Sequence, residues 1–469
     1  MNKYKQTKGI ILLGLTALIG LSSCQVVNQY KTPEIDTENL YREMSSSDTA
    51  TIANIPWKAY FSDPYLIALI EEGIGNNYNL QIAYTRIQQA EASLGIAKAA
   101  YFPDVALVGQ VNQSRNSNGA RGKDVLGYQS TNYSLGVSAS WEVDIWGKLN
   151  RQSKAKYAQF LNSHAYKNLI QTSLISNIAT SYYSLLALDE KLAITIESIK
   201  LMQENVETME ALKNAGLQNG AAVEQSKSLL YSTQASIPDL ESQIRQLENS
   251  ISTMLGRKPG KVTRQSINEQ QYPNQLKYGV PVQVLAKRPD VQQAELSFRS
   301  AFELTNAAQA SFYPSITLSS GSIGYATANT LSNFFKPENI FASIIGGLTQ
   351  PIFAKRQLTG NLKIAKAQQQ EALLTFEQTV LEAGQEVTDI FYTFESSLRK
   401  NETRQKQIEA SKNSVSFTQE LLKAGVANYT EVLNAEQNLL SAQLNQVNDK
   451  LEQLQCMVNL YKALGGGTQ

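Results

Sequence analysis

The stretch from Leu373 to Leu422 limits what this chain can fold into more than any other. An apolar or aromatic residue stands at every seventh position: Leu373, Val380, Val387, Phe394, then Ile408, Val415 and Leu422, with Asn401 the one exception. From Leu358 to Ala424 there is no Pro, and Gly384 is the one Gly away from the ends. An unbroken helix of that length is roughly 100 Å long at 1.5 Å of rise per residue. Ordinary globular helices run three or four turns, and a strict seven-residue seam marks helices that wind around one another. The same spacing recurs at Ile178, Leu185, Leu192, Ile199 and Val206, at Val223, Leu230, Ile237, Ile244 and Ile251, and at Leu433, Leu440, Val447, Leu454 and Tyr461. Helices are therefore expected over 147–215, 221–255, 358–424 and 429–464, the second bent at Pro238.

Elsewhere the period switches to two. Val105, Leu107, Gly109 and Val111 alternate along one face of an expected strand near 102–113, and a second follows at 132–143 after a polar Gly/Ser/Asn loop. The pattern then repeats. Ala308 to Leu318 echoes Ala97 to Leu107, and Leu421-Leu422-Lys423-Ala424-Gly425-Val426 echoes Leu212-Lys213-Asn214-Ala215-Gly216-Leu217. A second pair of strands is expected near 313–325 and 340–351, with Phe353 in the place of Trp146. Each half (63–255 and 290–464) thus reads as helix, two strands, very long helix, tight turn, long helix. A Pro/Gly-punctuated connector spans 256–289, and Gly465-Gly466-Gly467 opens an expected flexible tail at 465–469.

The amino terminus carries an address. Lys3, Lys5 and Lys8 precede a short apolar run from Ile10 to Leu21, followed by Leu21-Ser22-Ser23-Cys24. A charged head, a short apolar middle and small residues describe a secretory signal over 1–23, too short to span a membrane. Leu-Ser-Ser-Cys resembles a bacterial lipobox, which makes Cys24 the lipidated first residue of the mature chain. The only other cysteine, Cys456, sits among Leu451, Leu454 and Val458 and reads as a small core hydrophobe.

Four strands of about ten residues are long enough to cross an outer membrane, but about eight are needed to close a barrel. Open strand edges cannot face lipid, where every backbone polar group needs a partner. Three copies supply twelve strands and close the wall. Aromatics gather at the strand ends (Tyr101, Phe102, Trp141, Trp146, Tyr313, Tyr325, Phe334 and Phe335 among them), as interfacial girdles do. The remaining faces of the long helices are charged and belong in water. The fold class expected is mainly α with a membrane β-barrel.

Trp141-Glu142-Val143-Asp144-Ile145-Trp146-Gly147-Lys148, Leu255-Gly256-Arg257, Arg288-Pro289-Asp290-Val291, Phe312-Tyr313-Pro314-Ser315 and Ala424-Gly425-Val426 occur in this order. Together they resemble the TolC-like outer membrane factors, in the lipidated branch that partners RND-type pumps. The resemblance implies a homotrimer with a twelve-stranded β-barrel in outer membrane lipid, a periplasmic α-barrel, and an equatorial collar to which residues 24–62 and the connector contribute. It also implies a periplasmic adaptor protein and an inner membrane pump as partners. The turns at Gly216-Leu217 and Gly425-Val426 become adaptor-docking tips. In related channels an apolar residue and an aspartate, at the positions of Thr430 and Asn434 here, constrict the periplasmic gate. The departure at both positions leaves a neutral ring, with Glu431 or Glu436 as alternative sources of charge.

Other function classes find little support. A net charge of +1, from 42 basic and 41 acidic residues, gives no reason to expect nucleic acid. His164 is the sole histidine, which excludes multi-histidine metal sites; no phosphate-binding loop occurs, and neither catalysis nor a cofactor is expected. Two alternatives stay open: an outer membrane duct of a protein secretion system, and a periplasmic coiled-coil scaffold lipoprotein without a pore.

Overall fold

The computed structural model describes residues 28–36, 40–41, 55–115, 129–271, 282–426 and 428–468. The expected signal segment, Cys24, most of the 114–131 loop and part of the connector lie outside the described residues. The elements run α1 (Trp57–Tyr60), α2 (Pro64–Asn76), α3 (Tyr78–Ala99), β1 (Asp104–Arg115), β2 (Gln129–Val143), α4 (Lys148–Asn214), α5 (Gly220–Met254), α6 (Pro289–Ala310), β3 (Ser315–Ala328), β4 (Ile340–Ser343), β5 (Gly346–Thr349), α7 (Gln357–Lys423) and α8 (Tyr429–Ala463). The chain is mainly helical and divides into two units. One takes in residues 1–34, 87–162 and 294–375, and the other 35–86, 163–293 and 376–469.

The halves repeat in helix length. Both α3 and α6 have 22 residues, α4 and α7 have 67, and α5 and α8 have 35. Tyr78 and Pro289 start the first pair 211 residues apart, while Lys148 and Gln357 start the second 209 apart. Two residues are therefore lost from the second half between its first strand and its longest helix. That shift corrects one expectation: Lys355, not Phe353, stands where Trp146 does.

In the second unit the seven-residue seams are where the helices meet. Val380, Val387, Ile408, Val415 and Leu422 on α7 are buried, as are Ile178, Leu185 and Val206 on α4. Asn401, the break in the series, is exposed, and the neighbouring buried position is taken by Ser397. α5 continues through Pro238. Between α2 and α3 a single residue, Asn77, leaves the helix. Its Oδ1 accepts from Leu80 N at 3.0 Å, capping α3, and its Nδ2 donates to the Met254 carbonyl at 2.8 Å, tying the interruption to the end of α5. The Gly465–Gly467 run is not a free tail. It is buried, and Gln171 Nε2 donates to the Gly467 carbonyl at 2.8 Å.

The first unit holds one antiparallel sheet in the order β1-β2-β3-β4, with β5 also on β3. The expected fourth strand is two short pieces separated by Ile344 and Ile345. Residues directly opposite one another on antiparallel strands share a face. The register places Leu107, Val137, Ile323 and Ala342 in one row, and Gly109, Leu135, Tyr325 and Ile340 in the next. On the other face lie Ala106, Ser138, Ser322 and Ser343, then Val108, Gly136, Gly324 and Phe341, then Gln110, Ser134 and Ala326. One face is mainly apolar, and the other is mainly small and polar apart from Val108 and Phe341. The apolar face is open: Leu107 is 73% exposed and Ile323 59%.

β3 reaches that pattern only through a bulge. Opposite β2 the register shifts between Ala139 and Trp141, so Ser319 and Ser320 face the single residue Ser140. Before the bulge the apolar residues of β3 are Ile316 and Leu318, and after it Ile323 and Tyr325. The extra residue changes the parity, so both pairs lie on the same face.

In the second unit Asp63 joins three segments. Its carboxylate caps α2 by accepting from Tyr65 N at 2.8 Å, and it accepts from the Tyr182 hydroxyl at 2.6 Å and Gln270 Nε2 at 2.7 Å. Asp63 is 4% exposed, and Tyr182 and Gln270 are buried with it. Asp63→Ala removes a cap and strands two buried donors, with an expected cost of about 2–4 kcal/mol. A fall in the thermal midpoint without a change in helix content at low temperature is the expected reading.

Candidate functional site

The two helix-pair turns are built alike. In the α4–α5 turn Gly216 has φ 73°, Gly216 N donates to the Lys213 carbonyl at 3.0 Å, and Leu217 N to the Leu212 carbonyl at 2.9 Å. In the α7–α8 turn Gly425 has φ 73°, with Gly425 N on the Leu422 carbonyl at 3.0 Å and Val426 N on the Leu421 carbonyl at 2.9 Å. This pair of bonds satisfies the last helical carbonyls and needs a left-handed residue, which Gly supplies without strain. Asn219 and Asn428 then cap the returning helices, accepting from Ala222 N and Thr430 N. The apolar residue after such a Gly commonly packs back on its helix. Here Leu217 and Val426 are 71% and 75% exposed.

Behind the turns four helices share a core: Met209 of α4, Ala222 and Val223 of α5, Leu422 of α7 and Val432 of α8, flanked by Leu212 and Tyr429. The turns are therefore anchored to a shared core while Leu217 and Val426 remain largely exposed.

Thr430, Glu431 and Asn434 are all exposed on the first two turns of α8. Thr430 and Asn434 are one turn apart and share a face. Glu436 does not join them. It is 6% exposed and accepts from Asn205 Nδ2 at 3.2 Å and Gln419 Nε2 at 3.4 Å. Burial pushes its carboxyl above the usual carboxylate range, against the lowering effect of those two hydrogen bonds. Of the two acids considered as sources of charge, only Glu431 stands in solvent.

Arg288, read in the sequence only as part of a motif, has a structural task. Its guanidinium is 6% exposed, donates to the Ala463 carbonyl at 2.8 Å, and pairs with Asp290 and Glu386 at 2.7 Å each. It fastens the connector to the end of α8 and the middle of α7. His164 is exposed on α4. Cys456 is buried, and burial raises its thiol to about 11, so it behaves as a hydrophobe. Among the described residues no group of three or more His, Cys, Asp or Glu side chains is placed to hold a metal, and no helix is long and apolar enough to cross a membrane.

Aromatic clusters mark both ends of the sheet. Where strands meet helices, Trp141 Nε1 donates to the Tyr101 carbonyl at 2.9 Å, and Trp146 stacks on Tyr313 with centroids 5.0 Å apart. At the far end Phe335 packs edge to face on Tyr325 and Phe334, with centroids 5.5 and 5.0 Å away, and Tyr325 and Phe334 lie tilted at 6.3 Å. Leu318 and Tyr325 are seven residues apart on β3, on the order of 20 Å at strand rise, close to the height of an outer membrane apolar band.

Comparison with known proteins gives one consistent answer. The family model for outer membrane efflux proteins matches residues 69–257 and 280–466. SilC of Salmonella typhimurium, a probable outer membrane lipoprotein, is 27% identical over 97% of this chain and 98% of its own length. The toluene efflux pump outer membrane protein TtgC of Pseudomonas putida is 28% identical over 98% and 96%. Crystal structures of CusC superpose with a TM-score of 0.82 at 26% identity, covering 94% of this chain and 99% of that one. The outer membrane channel OprN superposes with a TM-score of 0.86 at 25% identity, covering 95% and 100%. The match spans both halves, their strands and their helix-pair turns: this chain belongs to the outer membrane efflux protein family.

Proposed function

We propose that the chain is the outer membrane exit duct of a tripartite efflux pump, working as a homotrimer. The observation that carries this reading is the sheet. One face is mainly apolar and open, the other is mainly small and polar apart from Val108 and Phe341, and β1 and β4/β5 end it with unpaired edges among the described residues. Such a sheet suits a wall between lipid and a water-filled lumen once copies join edge to edge. Three copies give a wall of the size needed for a channel. Lipidation at Cys24 would anchor each copy, since several acyl chains hold where one is marginal.

In this reading the driving energy is supplied by an inner membrane transporter acting through a periplasmic adaptor. The exposed Leu217 and Val426, carried on rigid turns, suit an adaptor that buries apolar side chains. Relatives of nearly equal identity are named for cation efflux and for toluene efflux, which supports a passive duct whose cargo is selected upstream.

The gate is assigned to Thr430, Asn434 and Glu431. A threefold ring of Asn434 is neutral, whereas a ring of Glu431 carries charge. Purified protein in planar bilayers is expected to give discrete conductance, and to run as a heat-dissociable trimer on gels. Asn434→Asp should shift the reversal potential toward cations and Glu431→Gln away from them. Unchanged selectivity in both variants removes the gate assignment while leaving the duct. Deleting Ser320 erases the bulge and turns Ile323 and Tyr325 to the polar face. Outer membrane fractions should then contain little trimer, although the helical unit still resists proteolysis.

A further inference from the structure

Within one chain the two halves meet along the β2–β3 seam. At the helix-side end of that seam Trp146 closes it: Nε1 donates to the Pro314 carbonyl at 2.7 Å, and the indole stacks on Tyr313 with planes 27° apart. The seam between copies, β4/β5 against β1 of the next, is the same boundary by internal repeat. Its residues can therefore be read from the repeat. Phe102-Pro103 corresponds to Tyr313-Pro314, at the offset of 211 that relates β1 to β3. Lys355 corresponds to Trp146, at the offset of 209 that relates α4 to α7.

Two features fix this alignment independently. Gly147 with φ 75° and Arg356 with φ 63° each precede the first residue of a 67-residue helix, with Lys355, unlike Trp146, also left-handed at φ 48°. Trp141 Nε1 donates to the Tyr101 carbonyl at 2.9 Å, and Gln350 Nε2 donates to the Phe312 carbonyl at 3.2 Å, the same bond in both halves. The side chains concerned are uncovered in the single chain. Phe102 is 73% exposed, Lys355 is exposed and forms no ion pair among the described residues, and Ile352 and Phe353 beside it are 97% and 84% exposed.

We infer that Lys355 of one copy lies over the Phe102 ring of the next, with its ammonium donating to that copy's Pro103 carbonyl. A cation–π contact with a charge-assisted hydrogen bond thus takes the place of the indole stack. The seam between halves is closed by an aromatic, and the seam between copies by a cation. The longer, flexible lysine stem lets two separately folded chains find the contact, whereas Trp146 and Tyr313 are already tethered. This rests on the homotrimer reading above.

The test uses full-length protein in outer membranes. Lys355→Ala and Phe102→Ala are each expected to lower the temperature at which the gel-stable trimer dissociates, by similar amounts, with the double variant no lower than either single. Lys355→Trp, which copies the internal seam, is expected to raise it. A p-benzoylphenylalanine replacing Lys355 should crosslink to the peptide containing Phe102 of a second copy. Additive single effects, or a crosslink to another peptide while the trimer persists, overturn the contact and leave the trimer standing. A wild-type protein that is monomeric in membranes overturns the trimer reading, and this contact with it.

Discussion

Backbone hydrogen bonding at strand edges is the constraint on which the rest of this structure depends. The sheet pairs β1 with β2, β2 with β3, and β3 with both β4 and β5, and among the described residues no further strand continues it. An edge in water invites pairing with any strand it meets, and an edge in lipid leaves polar groups with no partner at all. A sheet whose rows of Leu107, Val137 and Ile323 are also open to solvent has neither environment available to it alone. The proposed wall of several copies removes both difficulties at once, by pairing the edges and by giving the apolar face a lipid neighbour.

The helical unit solves a different problem. Helices of 67 residues cannot be stabilised by one compact core. They are held by a seam repeated every seven residues, with small clusters such as Met202, Val206 and Leu230 along it. Buried polar contacts fix the alignment between seams. Glu436 between Asn205 and Gln419 is one, and the Arg404 pair with Asp449 at 2.8 Å is another. A sliding seam would strand these groups without partners, which makes each of them a register mark. At the turns the same helices end on two Gly residues with near-identical bonding, so the tips are rigid while Leu217 and Val426 stay free to meet another surface.

Much of this was legible in the residues because the helical signal is local. The heptads at Val380 to Leu422 and Ile178 to Val206 and the Gly turns each specify backbone within a few residues of themselves, and the long helices begin and end within about one residue of where those signals lie. The candidate site was legible in part. Thr430, Glu431, Asn434 and the tip residues do stand in solvent, whereas Glu436 has the same residue type and nearly the same position as Glu431 and is buried. Which face of α8 meets α4 and α7 cannot be read from α8 alone. Phe353 looked like the counterpart of Trp146 because aromatics resemble each other, but backbone conformation at Arg356 and the Gln350 hydrogen bond align Lys355 there instead.

What the sequence determined by itself is the set of helices, the internal repeat, the alternation in the strands and the positions of the turns, since each is a period or a dihedral preference carried by neighbours. What only the tertiary structure decided is pairing: the one-residue bulge that keeps Ile316 and Tyr325 on a common face, the split of the last strand at Ile344, the burial of Gly465 to Gly467, and the Arg288 anchor reaching Ala463 and Glu386. These depend on contacts between residues tens to hundreds of positions apart. No local pattern encodes such contacts, because their free energy arises only once both partners are in place.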